Sequence, residues 1–195
     1  MKYFEIVFDN SGSMGLPLAD STRVQVAKDL FRQDILPLVG NDTQLAVRLL
    51  RDACLGCSEY QFFGSDVDSC AAFINGIRTN GGTPLFNTIK DALHTTMQQQ
   101  AAERTIFVLT DGDDTCGNEI QNVLAAEEIN WIKQINVIIA QYAISELSDV
   151  KKLSHLANVI GAKTINFGNN SSSNRNYIRN ELKLELKKIG LNGNA

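Results

Sequence analysis

The chain has 195 residues, of which 44% are hydrophobic and 21% are charged, the balance of an ordinary globular protein. A chain of this length buries roughly 70% of the surface that it exposes when unfolded, so its core needs no disulfide or metal to hold it together. Acidic and basic residues are mixed along the chain and sum to a net charge of -4, which argues against a nucleic-acid-binding surface.

The first half of the chain alternates between strand and helix patterns. The run from Tyr3 to Phe8 predicts a strand that is buried on both faces. This run is too short for a signal core or a membrane span, so we expect a cytoplasmic protein without membrane association. Thr22 and Gln25 form a capping-box pattern at the start of a helix whose apolar residues extend to Leu38. The next predicted elements are the strand Gln44 to Leu50, the short strand Tyr60 to Phe63 and the helix Asp66 to Ile77.

The second half continues this alternation and contains no repeat and no domain linker. Pro84 suits the first turn of a helix, because its missing N–H costs nothing there. The elements predicted after that helix are the strand Thr105 to Leu109, the helix Glu119 to Trp131, the strand Asn136 to Ala140, a helix from Leu147 to Ala157, the strand Thr164 to Phe167, a mobile loop at 168–176 and a C-terminal helix at 177–190. Strands separated by helices predict one α/β domain, residues 1–195, with a doubly wound, mainly parallel sheet.

Three loops are rich in small side chains that carry oxygen, and each follows a buried strand or opens a helix. They are Asp9-Asn-Ser11-Gly-Ser13, Gly81-Gly82-Thr83-Pro84 and Thr110-Asp111-Gly112. In an open α/β sheet, ligands gather beyond the carboxyl ends of the strands, near the point where strand order reverses. The first and fourth predicted strands flank such a point, so we expect Asp9 and Asp111 to lie close together.

These loops predict a site for a hard divalent cation. Two carboxylates that are held close together repel each other unless a cation neutralises them. Asp, Ser and Thr oxygens are ligands that Mg²⁺ accepts, and Mn²⁺ or Ca²⁺ are alternatives. The three loops contain no His or Cys, which argues against zinc. The predicted ligand set is Asp9, Ser11, Ser13, Thr83 and Asp111.

The order and spacing of these residues resemble the metal-ion-dependent adhesion site (MIDAS) of von Willebrand factor type A (VWA) domains. The resemblance extends from Tyr3 to about Phe167, and all five positions of the motif are filled. It implies a three-layer, Rossmann-like fold with helices on both faces of the sheet and one antiparallel edge strand.

The resemblance also implies a role for each residue of the site. Ser11 and Ser13 would ligate the metal directly, and Thr83 would do so directly or through water. Asp9 and Asp111 would act mainly through waters. An open coordination position would then take a carboxylate from a partner protein, and in several members of the family such binding is linked to a shift of the last helix.

The function favoured by these observations is a cation-dependent protein-binding module that is monomeric on its own and is not an enzyme. One alternative is a Mg²⁺-dependent hydrolase or phosphotransferase, since a bound metal can polarise phosphoryl groups. Such an enzyme also needs a positioned base, nucleophile or phosphate-binding cation, and the three loops supply no Lys, Arg, His or Cys, apart from Cys116 just beyond. A second alternative is a VWA subunit of a stable intracellular, ATPase-associated assembly.

Other polar and sulfur-bearing residues favour structural roles. Asp113 and Asp114 are expected to be solvated loop acids. The cysteines are expected to be free thiols, with an inert pair or a local disulfide at the Cys-x-x-Cys pair, and the other two standing alone; the four are Cys54, Cys57, Cys70 and Cys116.

Overall fold

The computed structural model describes residues 1–18, 20–50, 58–112, 114–116, 130–141, 147–166 and 175–188. Its strands are β1 (Lys2–Phe8), β2 (Pro17–Leu18), β3 (Ser21–Thr22), β4 (Thr43–Leu49), β5 (Glu59–Gly64), β6 (Glu103–Thr110), β7 (Asn136–Gln141) and β8 (Lys163–Asn166). Its helices are α1 (Arg23–Leu30), α2 (Val67–Gly76), α3 (Leu85–Gln98), α4 (Leu147–Ile160) and α5 (Arg175–Lys188). Most of the predicted helix at 119–131 lies outside the described residues.

The central sheet has the strand order β5-β4-β1-β6-β7-β8. Strand β1 pairs in parallel with β4 on one side and with β6 on the other along its whole length. Strands β6, β7 and β8 continue in parallel, whereas β5 runs antiparallel to β4 and forms an edge. The predicted mainly parallel sheet with one antiparallel edge strand is therefore confirmed. Strand order reverses between β1 and β6, so the carboxyl ends of these two strands flank the switch point.

Alternate residues of β1 point to opposite faces of the sheet, and helices cover both faces. Phe4, Ile6 and Phe8 join a buried apolar cluster with residues of α1, α2 and α5. Val7 joins a second cluster with residues of α3 and α4. Full burial of each large apolar side chain stabilises the folded state by about 1.5–3 kcal/mol relative to its exposure to water. The largely apolar strands of the sequence are thus explained by a sheet that lies between two helix layers.

The helix after the first loop begins as predicted but changes geometry along its length. Thr22 caps α1 by accepting a hydrogen bond from the Gln25 N–H at 3.3 Å. The Gln25 side chain donates to Asp29 and does not return to the cap, so only half of the predicted capping box forms. A π-helical turn, Phe31–Ile35, and a 3₁₀ turn, Leu36–Leu38, follow α1 directly. Apolar spacing alone does not distinguish such short turns from an α-helix, because each turn contains too few residues to reveal its period.

A buried ion pair lies within the sheet on the face that α3 covers. Glu5 of β1 is fully buried and accepts hydrogen bonds from Arg48 Nε at 2.5 Å and from the Tyr3 hydroxyl at 2.8 Å. Arg48 of β4 also donates to Ser58 and to Thr95 of α3. Buried charges are tolerated where hydrogen bonds satisfy the remaining polar atoms of the pair. This network links β1, β4 and α3.

The C-terminal helix begins earlier than predicted. Helix α5 starts at Arg175, two residues before the predicted start at about 177, so Arg175 and Asn176 belong to the helix. These residues are polar and carry no apolar periodicity that would mark a helix start. The remainder of the predicted loop at 168–176 lies outside the described residues, and within the described ranges Leu186 buries the helix against the core. Across those same ranges, no helix is both long and apolar enough to cross a membrane.

Candidate metal centre

Backbone hydrogen bonds bring the predicted site loops together at the carboxyl ends of β1 and β6. The Asp9 N–H donates to the Leu109 carbonyl at 3.0 Å, which extends the contact between the two strands beyond the end of β1. The Gly12 N–H donates to the Gly81 carbonyl at 2.9 Å. Gly81 has a φ of +70°, a left-handed conformation that favours glycine. The three oxygen-rich loops therefore lie side by side.

A chain of hydrogen bonds, two between side chains and one from a backbone N–H, joins four of the five predicted ligands. The Oγ atoms of Ser11 and Ser13 lie 2.9 Å apart. Ser13 Oγ donates to Asp111 Oδ1 at 2.8 Å, and the Ser11 N–H donates to Asp9 Oδ1 at 2.9 Å. The prediction that Asp9 and Asp111 approach each other agrees with this geometry.

Asp9 is a carboxyl group whose ionised form is disfavoured in the folded protein. Its side chain is completely buried, and this burial raises its pKa from 3.8 to about 6, with repulsion from Asp111 adding to the rise. Hydrogen bonds from Thr110 Oγ1 at 2.6 Å and from Ser11 oppose the rise without cancelling it. A cation next to Asp9 would relieve both the burial cost and the repulsion.

Asp111 has a cationic partner that the sequence analysis missed. The Arg23 guanidinium donates from one terminal nitrogen to Asp111 Oδ2 at 2.8 Å. The Asp111 side chain is 0% exposed and that of Arg23 is 19% exposed, so the ion pair is largely shielded from water. Arg23 is the first residue of α1, and no spacing rule links that position to a strand end much later in the chain. The one sequence feature that pointed towards such a partner was Asp111 itself, a second acid at a buried strand end that needs a counter-charge.

Thr83 is fixed at the start of α3 through its backbone. Its N–H donates to Thr115 Oγ1 at 2.8 Å, and its carbonyl accepts from the Thr115 N–H at 3.0 Å. The neighbouring Gly82 leaves room for this contact, since a Cβ there would lie 3.2 Å from Thr115 Oγ1. The loop that follows β6 thereby holds the second loop of the site in position, a role for Thr115 that the sequence analysis did not find.

Asp114 is not the solvated loop acid that the sequence predicted. It is buried, and its carboxylate accepts hydrogen bonds from the Phe86 N–H at 2.9 Å and the Cys116 N–H at 2.8 Å. Phe86 lies in the first turn of α3, where N–H groups lack partners within the helix and where a negative charge is favoured. Asp114 therefore caps α3 from a distant part of the chain, which sequence patterns for local capping do not detect. Asp113 lies outside the described residues.

The expectation that the cysteines are free thiols is wrong for Cys116. Cys116 is disulfide-bonded, and its partner lies outside the described residues. Cys70 is free and buried, and burial raises the pKa of its thiol to about 12. Cysteine spacing carries no information about a bridge between distant segments. The bridge anchors the short segment through which Thr115 and Asp114 hold α3 and Thr83.

The oxygen atoms at this crevice fit a hard divalent cation. The five side chains bring two carboxylates and three hydroxyls and no nitrogen or sulfur, a set suited to Mg²⁺. Within the part of the chain that the structure describes, no group of three or more His, Cys, Asp or Glu side chains is arranged to hold a metal. A cation at this position would therefore depend on the Ser and Thr hydroxyls as well as on the two acids. The metal-binding role of the five residues stays a prediction.

The strand order, the antiparallel edge and the two helix layers are those of the VWA fold. A von Willebrand factor type A structure from Catenulispora acidiphila matches 92% of this chain with a TM-score of 0.68 and 17% identity. The vWF domain of the type V pili tip protein Mfa5 from Porphyromonas gingivalis matches 100% of this chain with a TM-score of 0.68 and 11% identity. Proximal thread matrix protein 1 from the mussel byssus, solved with a zinc-occupied MIDAS motif, matches 93% of this chain with a TM-score of 0.66 and 16% identity.

These similarities establish the fold and no more, because the identities are low. No protein-family model and no curated protein matches the chain. The chain spans 97% of the Mfa5 domain, but only 41% of the Catenulispora structure and 44% of the mussel structure.

Proposed function

We propose that this chain is a divalent-cation-dependent protein-binding module, in which a cation at the crevice recruits a carboxylate of a partner protein. One observation carries the proposal. The hydrogen-bonded chain of Ser11, Ser13 and Asp111 meets the buried Asp9 at the carboxyl ends of two neighbouring strands. Two neighbouring buried carboxylates favour a cation, since each raises the cost of ionising the other.

The five predicted residues would hold the cation in different ways. In this proposal the hydroxyls of Ser11 and Ser13 are direct ligands, and the Thr83 hydroxyl is a ligand directly or through water. Asp9 and Asp111 contribute their charge mainly through bound waters. The bound cation supplies a positive, Lewis-acidic position that a partner carboxylate completes.

Mg²⁺ is the cation that we propose, with Mn²⁺ or Ca²⁺ as alternatives. The mussel protein with zinc in its MIDAS supports cation binding at a site of this kind. Zinc favours nitrogen and sulfur ligands, whereas the side chains at this crevice offer oxygen only. Mg²⁺ is therefore a better match to the present donor set.

Two observations weigh against the hydrolase or phosphotransferase alternative. Arg23 does bring a cationic group to the site, but its guanidinium is paired with Asp111. Cys116, the nearest candidate nucleophile along the chain, is disulfide-bonded and carries no thiolate. The function proposed is therefore binding, without a chemical step.

Residues 1–195 form one VWA domain in this proposed function, and the domain is monomeric on its own. In the alternative of a stable assembly, the chain would bind its partner through the same site, but the complex would be permanent rather than reversible. We do not propose the cytoplasmic location that the sequence predicted. Disulfides such as the one at Cys116 persist mainly in oxidising compartments.

The test has two stages. First, the purified chain is stripped with EDTA and titrated with Mg²⁺ and Mn²⁺ by calorimetry, next to the variants Asp9→Ala and Ser13→Ala. The matched control is Asp68→Ala, which removes an exposed acid of α2. Second, tagged forms of the same proteins are used to capture partners from source-cell lysate in Mg²⁺ and in EDTA.

We expect the wild-type chain and the Asp68→Ala control to bind the cation and to capture a partner that EDTA releases. Asp9→Ala should lose both properties, and Ser13→Ala should lose them in part because it removes a neutral ligand. Cation binding that survives in Asp9→Ala, or a partner that is retained in EDTA, would refute the proposed mechanism.

A further inference from the structure

Arg23 occupies a position that its own helix disfavours. It is the first residue of α1, where the helix dipole presents partial positive charge and a basic side chain is unfavourable. Its N–H donates to the Leu16 carbonyl at 3.1 Å, so the short β2–β3 hairpin fixes where the helix begins. The side chain crosses from this helix to Asp111 at the end of β6. The interaction that offsets the unfavourable position is therefore the ion pair with a predicted ligand of the cation site.

Arg23 and Ser13 together donate hydrogen bonds to both carboxylate oxygens of Asp111. The guanidinium of Arg23, however, keeps a nitrogen without a hydrogen-bond acceptor in the described part of the chain. Asp111 Oδ1 accepts from Ser13 Oγ, and Oδ2 accepts from Arg23. Among the described residues, the buried Nε of Arg23 has no hydrogen-bond partner. Arg23 thus meets Asp111 through one nitrogen rather than through the two-point fork that makes Arg–carboxylate pairs strong.

We propose that Arg23 is the internal counter-charge of the cation site and that it sets the affinity of the site by competing with the cation. This inference rests on the proposed function, because it concerns the same site. With Arg23 in place, the charges of the two carboxylates are partly cancelled before any cation arrives. Ligand charge is a principal determinant of affinity for hard divalent cations, so the guanidinium lowers the affinity of the site.

A purely structural role for Arg23 leads to the opposite expectation. If Arg23 served only to orient Asp111 for the cation, its removal would weaken cation binding. Ser13 still holds Asp111 Oδ1 when Arg23 is absent, so the orientation of the carboxylate does not depend on the guanidinium alone. The repulsion between a guanidinium and a divalent cation, in contrast, disappears entirely with the charge. The competing role is therefore the one that the geometry favours.

The deciding experiment compares Arg23→Gln, Arg23→Lys and the wild-type chain in two measurements. The first is calorimetric titration of the EDTA-stripped proteins with Mn²⁺ and Mg²⁺, and the second is thermal unfolding in EDTA and in saturating Mg²⁺. The matched control is Arg32→Gln, which removes an exposed arginine from the same helical segment and breaks only a surface pair with Asp29.

We expect Arg23→Gln to bind the cation about tenfold more tightly, the scale on which ligand charge and outer-shell partners tune metal sites. Its Tm in EDTA should fall because Asp111 is left buried without its counter-charge, and Mg²⁺ should restore the Tm. Arg23→Lys keeps the charge and should bind the cation as the wild type does. Arg32→Gln should change neither measurement.

Each outcome bears on one proposal or on both. If the wild-type chain binds the cation and Arg23→Gln binds it equally or more weakly, the competing role of Arg23 is wrong and the proposed function stands. If neither protein binds a cation, both proposals are wrong. If Arg23→Gln unfolds in EDTA, its affinity is taken from the Mg²⁺ concentration that restores the fold, and an affinity no higher than that of the wild type contradicts the competing role.

Discussion

The replacement Asp9→Asn should stabilise the cation-free protein at neutral pH while it removes a predicted metal contact. The pKa of Asp9 is about 6 in the folded protein against an ordinary value of 3.8, so the folded state holds this proton more strongly. The contribution of Asp9 to stability is therefore greatest in acid and is lost as the pH rises from about 4 to about 6. The difference of about 2 pKa units corresponds to about 3 kcal/mol, at about 1.4 kcal/mol per unit.

The substitution keeps the hydrogen bonds around Asp9 while it removes the charge. The Asn carbonyl can accept from the Ser11 N–H as Asp9 Oδ1 does. Its amide can donate to Thr110 Oγ1, whose hydroxyl can turn to the Gly112 carbonyl, 3.1 Å away. The variant therefore keeps both hydrogen bonds of Asp9 and adds one amide hydrogen, so the pH dependence of the free-energy change isolates the charge of Asp9.

The assay is urea unfolding in EDTA at several pH values between 4 and 8. We expect wild type and variant to be nearly equal near pH 4, and the variant to be more stable by about 3 kcal/mol near pH 8. The control is Asp66→Asn. Hydrogen bonds from Ser69 lower the pKa of Asp66, so the contribution of Asp66 to stability is lost as the pH falls, opposite to that of Asp9. A variant that is less stable than wild type at pH 8, or a difference that does not change with pH, would refute the reasoning.

Three further predictions follow from the contacts described above. Asp114→Ala should lower the free energy of unfolding by about 1–2 kcal/mol through loss of the cap on α3, and should weaken cation binding in calorimetry, whereas Asp114→Asn, which keeps an acceptor, should lose less of both. Arg48→Ala should lower the free energy of unfolding in urea by about 3–5 kcal/mol, the scale of a broken buried ion pair, because the buried Glu5 loses its counter-charge and keeps only hydroxyl donors. A variant within about 1 kcal/mol of wild type would contradict this. Reduction with a phosphine should lower the Tm by roughly 5–15 °C, and Cys116→Ser should already show the lower Tm and be insensitive to the reductant.

The sheet was predictable because its strands carry strong local signals. Tyr3 to Phe8 and Thr105 to Leu109 are mainly apolar runs bounded by polar or loop residues, and such runs indicate strands buried on both faces. The loops at their carboxyl ends could be assigned to one site because the switch-point rule depends only on the order of the strands. The mainly parallel pairing and the approach of Asp9 to Asp111 follow from these features, whereas the antiparallel edge strand was implied by the resemblance to VWA domains.

The contacts that sequence reasoning missed all join residues that are far apart along the chain. Arg23 pairs with Asp111, Asp114 caps α3, and Cys116 is bridged to a cysteine elsewhere. Each of these partners depends on the folded arrangement of separate elements, and local propensity or spacing contains no information about it. The π-helical turn after α1 was missed for a different reason, since its apolar residues also satisfy the period of an ordinary helix.

The ion pair between Glu5 and Arg48 has a consequence for how the sheet assembles. In the native register Arg48 lies opposite Val7, and both side chains are on the face that holds Glu5. A slip of β4 by one residue would turn Arg48 to the opposite face of the sheet. Glu5 would then stay buried without its counter-charge. The buried charge pair therefore favours one register between β1 and β4 during folding.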